Sequence, residues 1–135
     1  MQGKENTNKK RTGKSVGPRK PVFRYTYPFG TAVDVVFILG RYRNNNNLYV
    51  GLEDARTGEP FTDVTKNFEP LDNNDAHIKN FDENEGMVQF LIQNDLGYIM
   101  GNLTEDYPLF FFNPLRLMEV DPDGYKRISD GQHKN

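Results

Sequence analysis

Two histidines, His77 and His133, and 19 Asp or Glu side chains are the groups in this 135-residue sequence that move protons near neutral pH, and there is no cysteine. Without Cys there is no thiolate nucleophile, no disulfide and no Cys-ligated zinc or iron-sulfur site. A two-His metal centre would have to recruit His133, two residues before the last one. His77 lies in the short run His77, Ile78, Lys79 and reads as an ordinary polar residue at a strand edge, since a general base needs a positioned partner. Asp82, Asn84 and Gly86 imitate the start of a calcium loop, but Gly falls at the fifth position and Gln93 stands where a bidentate Glu is required. Gly13, Lys14 and Ser15 imitate the end of a phosphate-binding loop without its strand and earlier glycine. Nothing selects a pair of carboxylates for glycoside chemistry. The expectation is a protein that is not an enzyme, with no catalytic residue, metal ligand or cofactor site.

Charge is more informative once it is placed along the chain. Residues 1–21 carry seven Lys or Arg against one Glu, a net of +6, while the remaining 114 residues carry 10 basic and 18 acidic side chains, a net of -8. Segregated charge of this kind points to an interaction arm, an acidic binding face, or both. Lys9, Lys10, Arg11, Lys14, Arg19 and Lys20 suit the phosphates of a nucleic acid through counterion release, with no aromatic interleaved for base stacking. Asp72, Asp75, Asp82, Glu83 and Glu85 form the acidic cluster suited to a protein partner with a basic surface. A third feature is Phe110, Phe111 and Phe112, consecutive on a strand, where alternation turns Phe111 away from its neighbours.

The elements that must hold these groups follow from periodicity. Residues 1–21 contain two aliphatic side chains, Met1 and Val16, too few to offset an ordering cost of about 1 to 2 kcal/mol per residue. They are read as a disordered basic tail, and 126–135 as a flexible C-terminal tail. Between them, 22–125 form one domain. Val22 to Tyr27 read as a strand, and Ala32 to Tyr42 as a central one with Val33, Val35, Phe37 and Leu39 on one face. Asn44 to Asn47 turn the chain into Leu48 to Glu53, and the turn from Asp54 to Pro60 leads to a third antiparallel strand, Phe61 to Thr65. His77 to Lys79 add a short strand. Asp82 as N-cap with Glu85 three residues on predicts a helix carrying Met87, Val88, Leu91 and Ile92 on one face and stopping at Gly97. Leu109 to Val120, interrupted by Asn113 and Pro114, read as an edge strand, a bulged strand or two short ones, and Asp121 to Gly124 as a turn. The predicted class is α+β, a mainly antiparallel β-meander packed on one helix.

No segment approaches the roughly 18 apolar residues of a membrane helix, and no apolar run follows the basic N-terminal region as in a signal peptide. A cytoplasmic protein without membrane contact is expected.

Leu48 to Glu53, Gly58 to Phe61, Thr62 to Asn67, Leu71, Ala76 and Ile78 are followed by Val88 to Asn94, Leu96 and Gly97, and Tyr107 to Asn113. In these residues the chain resembles an uncharacterised family of small proteins carried by bacterial mobile elements and phages, over about 30–120. Thr104, Glu105 and Asp106 stand where that family has a glycine-rich approach to its last strand. The resemblance implies an accessory gene of a plasmid, transposon or phage and supplies no catalytic residue. The functional expectation is an accessory protein that binds a protein partner through its acidic body, as an inhibitor of a nucleic-acid-handling host protein would. The alternative is a nucleic-acid-binding accessory protein that grips phosphate with its basic tail.

Overall fold

Pairing of alternating strands produces two antiparallel sheets. The computed structural model describes residues 20–28, 30–102 and 104–133, so of the basic tail only Lys20 and Pro21 fall within the described residues. The first sheet contains β1 (Phe23–Thr26), β2 (Ala32–Arg41), β3 (Leu48–Asp54) and β4 (Pro60–Asp63), each hydrogen-bonded to the next in sequence. As the period-two pattern requires, Val35, Phe37 and Leu39 are buried on one face while Val36 and Ile38 are half-buried on the other. Phe37 lies opposite Leu52 and Leu39 opposite Val50, which fixes the register of the longest pairing.

The third strand expected over Phe61–Thr65 divides at Val64. β4 ends at Asp63, and β5 (Thr65–Lys66) opens a second sheet with β6 (Asp75–Ile78), β7 (Gly97–Ile99) and β8 (Leu109–Phe112), in the spatial order β5-β6-β8-β7. The bend costs no backbone hydrogen bond at Val50. Its carbonyl accepts from the Val64 N–H at 2.9 Å, and its N–H donates to the Thr65 hydroxyl at 3.2 Å. β7 was not anticipated from the sequence.

Three helices replace the single one expected: α1 (Met87–Gln93), α2 (Pro114–Val120) and α3 (Pro122–His133). The start of α1 differs from the capping reading. Asp82–Asn84 form a separate 3-10 turn, and the helix begins after Gly86, which holds φ at +87°. Its Val88 N–H is capped from outside by the Asn80 side chain at 2.9 Å. At the other end Leu96 N–H reaches back to the Leu91 carbonyl and Asp95 N–H to Ile92, with Asp95 left-handed at φ +64°. These paired bonds end the helix before Gly97. Ile92, expected inside, is exposed.

Pro114 has the opposite meaning from the one its sequence context suggests. It is not a break in an edge strand but the first residue of α2, and the Asn113 side chain accepts the Leu115 N–H at 3.0 Å. β8 is accordingly an interior strand. Asp121, expected in a turn, is buried and starts α3 by accepting the Gly124 N–H at 3.2 Å. The same carboxylate accepts the Leu39 N–H of β2 at 2.9 Å and lies 3.5 Å from Lys20 Nζ. Residues 126–133, read as tail, continue α3 across β2.

One core joins these parts. Phe90 of α1 meets Tyr25 edge-on at 5.1 Å and stacks on Phe37 at 6.0 Å between ring centres, and Phe110, Phe112, Leu117 and Val120 complete the buried cluster. A fully buried side chain of this kind contributes about 1.5 to 3 kcal/mol. Burial also pushes the Tyr25 hydroxyl up to about 12, with Tyr27 and Glu83 acting in the same direction.

Candidate binding face of the second sheet

The residues of β6, β7 and β8 that point away from the core form an open face. Phe110 and Phe112 are fully buried, and Phe111 between them turns outward, as the alternation of a strand demands. Phe111 pairs across the sheet with Asp75 on one side and Tyr98 on the other. Directly opposed residues share a face, and the Tyr98 and Phe111 rings lie 5.0 Å apart at 32°. Tyr98 is 59% exposed and Met100 48%.

Asp72, Asn73, Asn74, Asp75, Met100 and Phe111 line a groove of about 460 Å³ at one end of this face. Asp75 is 8% exposed, and its carboxylate has no hydrogen-bond or ion-pair partner among the described residues. Burial raises its pKa and the nearby Asp72 charge adds to the effect. The groove thus holds a carboxylate whose charged form is disfavoured until a cation approaches.

At the other end, His77 pairs in register with Leu109 and with Lys66. Its Nδ1 lies 2.9 Å from the Tyr107 carbonyl and its Nε2 3.0 Å from Glu69 Oε2. Both contacts are acceptors, so the arrangement favours the doubly protonated imidazolium. Burial works against that charge, but the Glu69 carboxylate and Tyr107 carbonyl outweigh it and raise the His77 pKa, with Glu105 assisting. His77, expected at a strand edge without a positioned partner, instead lies in an interior strand, β6, and has such a partner in Glu69. Phe68, 44% exposed, stands edge-on to both His77 at 5.4 Å and Tyr107 at 5.0 Å.

The five acids singled out in the sequence do not form one patch. Asp72 and Asp75 share the groove, whereas exposed Asp82, Glu83 and Glu85 follow the far end of β6. The strand alone separates the two groups by about 10 Å. Of the six cations proposed for nucleic acid, Lys9, Lys10, Arg11, Lys14 and Arg19 lie outside the described residues, and Lys20 is paired with Asp121. Tyr98 and Met100 were missed. Their signal is the alternation of Tyr98, Ile99 and Met100 between Gly97 and Gly101.

Among the described residues no group of three or more His, Asp or Glu side chains is arranged to hold a metal ion, and no helix is long and apolar enough to cross a membrane. No curated protein and no solved structure matches the chain. A family model does match, that of a domain of unknown function (DUF4313), over residues 37–130, which run from β2 into α3 and include the whole of the open face; the chain belongs to that family.

Proposed function

We propose that this chain is a non-enzymatic accessory protein of a bacterial mobile element or phage, working in the cytoplasm, and that it binds a protein partner through the open face of its second sheet. The observation that carries this reading is Asp75: an acidic residue only 8% exposed, whose carboxylate has no cation among the described residues, in a groove lined by Phe111 and Met100. A partner segment presenting Arg or Lys beside an apolar side chain satisfies both features. Its cation relieves the crowding of Asp75 by Asp72, and its apolar neighbour covers Met100, Tyr98 and Phe111. A guanidinium also stacks on the exposed aromatic rings. Lys66, on the same face, sets the register by repelling a cation placed at the other end of the sheet. The acidic surroundings favour a basic protein surface over phosphate, in line with an inhibitor of a nucleic-acid-handling protein.

The test is quantitative capture of host and element-encoded proteins on the full chain, on Asp75→Asn and on Tyr98→Ala. Each retained protein is then purified and its Kd measured against all three. The expected result is a partner with a basic surface whose affinity falls about tenfold or more with either substitution. Retention indifferent to both substitutions, or no retained protein, overturns the reading.

A further inference from the structure

A second cavity, of about 320 Å³, opens where β2 runs into its turn and α3 crosses it, lined by Leu39, Gly40, Arg41, Asn46, Arg127 and Ile128. Its described lining contains two guanidinium groups and no carboxylate, in a body that is otherwise net acidic. Arg41 is held in place rather than free to swing. Its Nη1 donates to the Asn73 carbonyl at 2.8 Å and more weakly to the Asn46 carbonyl at 3.4 Å, while its Nε is buried without a partner among the described residues. Among the described residues neither Arg41 nor Arg127 has a carboxylate within ion-pair distance. Burial lowers the Arg41 pKa, which marks a desolvated cation lacking a counterion, although a guanidinium stays charged at any physiological pH.

We propose that Arg41 and Arg127 form an anion site for a phosphate monoester, with the phosphate against the two guanidinium groups and the organic body against Leu39 and Ile128. With Nη1 committed and Nε closed off, the fixed Arg41 guanidinium leaves Nη2 as its preorganised donor, and the exposed Arg127 guanidinium supplies the fork that matches phosphate oxygens. Two such groups match the near-double charge of a monoester better than the single charge of a carboxylate or a backbone phosphodiester. The cavity falls at the lower end of the range for small organic ligands, well above the space a bare phosphate fills. The Asn46 side chain at its rim suits a hydroxyl or amide of the ligand. This site lies on β2 and α3, apart from the open face of the second sheet, and stands independently of the protein-binding proposal.

The test follows backbone amide resonances of the full chain during titration with inorganic phosphate and with phenyl phosphate, each to about 10 mM. Saturable shifts at Arg41, Arg127 and Ile128 are expected, with phenyl phosphate binding about tenfold tighter than inorganic phosphate through its apolar body. Arg127→Gln alters an exposed side chain and leaves the Arg41 hydrogen bonds intact; it weakens phenyl phosphate about tenfold. Arg41→Lys, which keeps the charge but not the fixed Nη2 donor, weakens it as well. Absence of saturable shifts with both probes overturns the site, as does equal binding by Arg127→Gln. Equal affinity for the two probes removes the monoester body from the proposal. Displacement of phenyl phosphate by a short oligonucleotide lacking a terminal phosphate overturns the monoester assignment in favour of a nucleic acid backbone.

Discussion

Asp75 of β6 and Phe111 of β8 are direct cross-strand partners, so a largely buried acidic residue with no cation among the described residues stands beside a half-buried aromatic ring on the open face. Such a carboxylate opposes folding whenever it is ionised. Its folded pKa is raised above the unfolded value of 3.8, first by burial and then by Asp72. The penalty is absent where both states are protonated, appears as pH rises above 3.8, and is complete above the raised folded value. Asp75→Asn is therefore expected to stabilise the free protein at pH 7 and to have no effect near pH 3, while weakening partner binding. Urea unfolding at the two pH values checks this. A loss of stability at pH 7 would place Asp75 in the framework of the sheet instead of its binding groove.

The His77 and Glu69 pair gives the fold a pH signature of opposite sign. The His77 pKa is raised above 6.5, because Glu69 and the Tyr107 carbonyl outweigh the opposing effect of burial, so its stabilisation is full below 6.5 and is lost as pH rises through the raised value. The His77 hydrogen bond holds Glu69 below 4.5, so its part is present above 4.5 and is lost as pH falls through the depressed value. Their joint contribution peaks between about pH 4.5 and 6.5. Proton NMR titration should find the His77 midpoint above 6.5, and Glu69→Gln should bring it down. A His77 midpoint unmoved by Glu69→Gln would sink the pairing.

The parts of the fold that the sequence made legible are those governed by short periods. β1, β2 and β3 fall where alternation places them, and the outward turn of Phe111 follows from the same rule. The parts it concealed depend on distant partners. Val64 divides one apparent strand because Val50 hydrogen-bonds on both sides of the bend. Pro114 reads as a strand breaker until Asn113 is seen to cap a helix. Asp121 reads as a turn residue because its partners Leu39 and Lys20 are 82 and 101 positions away. The acidic cluster was legible as composition but not as a site, since sequence proximity does not show that β6 parts Asp75 from Asp82. The cavity at Arg41 and Arg127 joins residues 86 positions apart, beyond the reach of any local pattern.

Asp121 joins three elements through one side chain, and its removal should be costly. Asp121→Ala leaves the Leu39 N–H of β2 without its acceptor, uncaps α3 at Gly124 and strips Lys20 of its counter-charge. A loss of about 2 to 4 kcal/mol is expected from the orphaned buried donor and the missing cap together. Lys20→Met removes only the partly exposed end of the ion pair and should cost about 1 kcal/mol or less. Guanidinium unfolding midpoints distinguish the two, and a loss from Asp121→Ala no larger than that from Lys20→Met would show that the helix does not depend on this carboxylate.

Gly97 and Tyr98 are adjacent in β7 and separate stability from binding. Gly97 lies so close to β8 that an added Cβ would collide with the Phe111 carbonyl oxygen, and its φ of +157° is rarely adopted by other residues. The obstacle is backbone and cannot swing aside, in contrast to Gly51, where the clash would be with the hydroxyl end of the Tyr49 side chain. Gly97→Ala should therefore destabilise by about 2 kcal/mol or more, and Gly51→Ala by less. Tyr98→Ala takes away a largely exposed ring and should change stability by only about 0.5 kcal/mol. On the proposed binding face that same ring covers part of the partner, so Tyr98→Ala is expected to lose affinity while keeping the wild-type unfolding midpoint. Thermal unfolding and partner Kd, measured on the same preparations, test the separation: a Tyr98→Ala protein that unfolds early would make the exposed ring a structural element of the sheet, and one that binds normally would remove it from the interface.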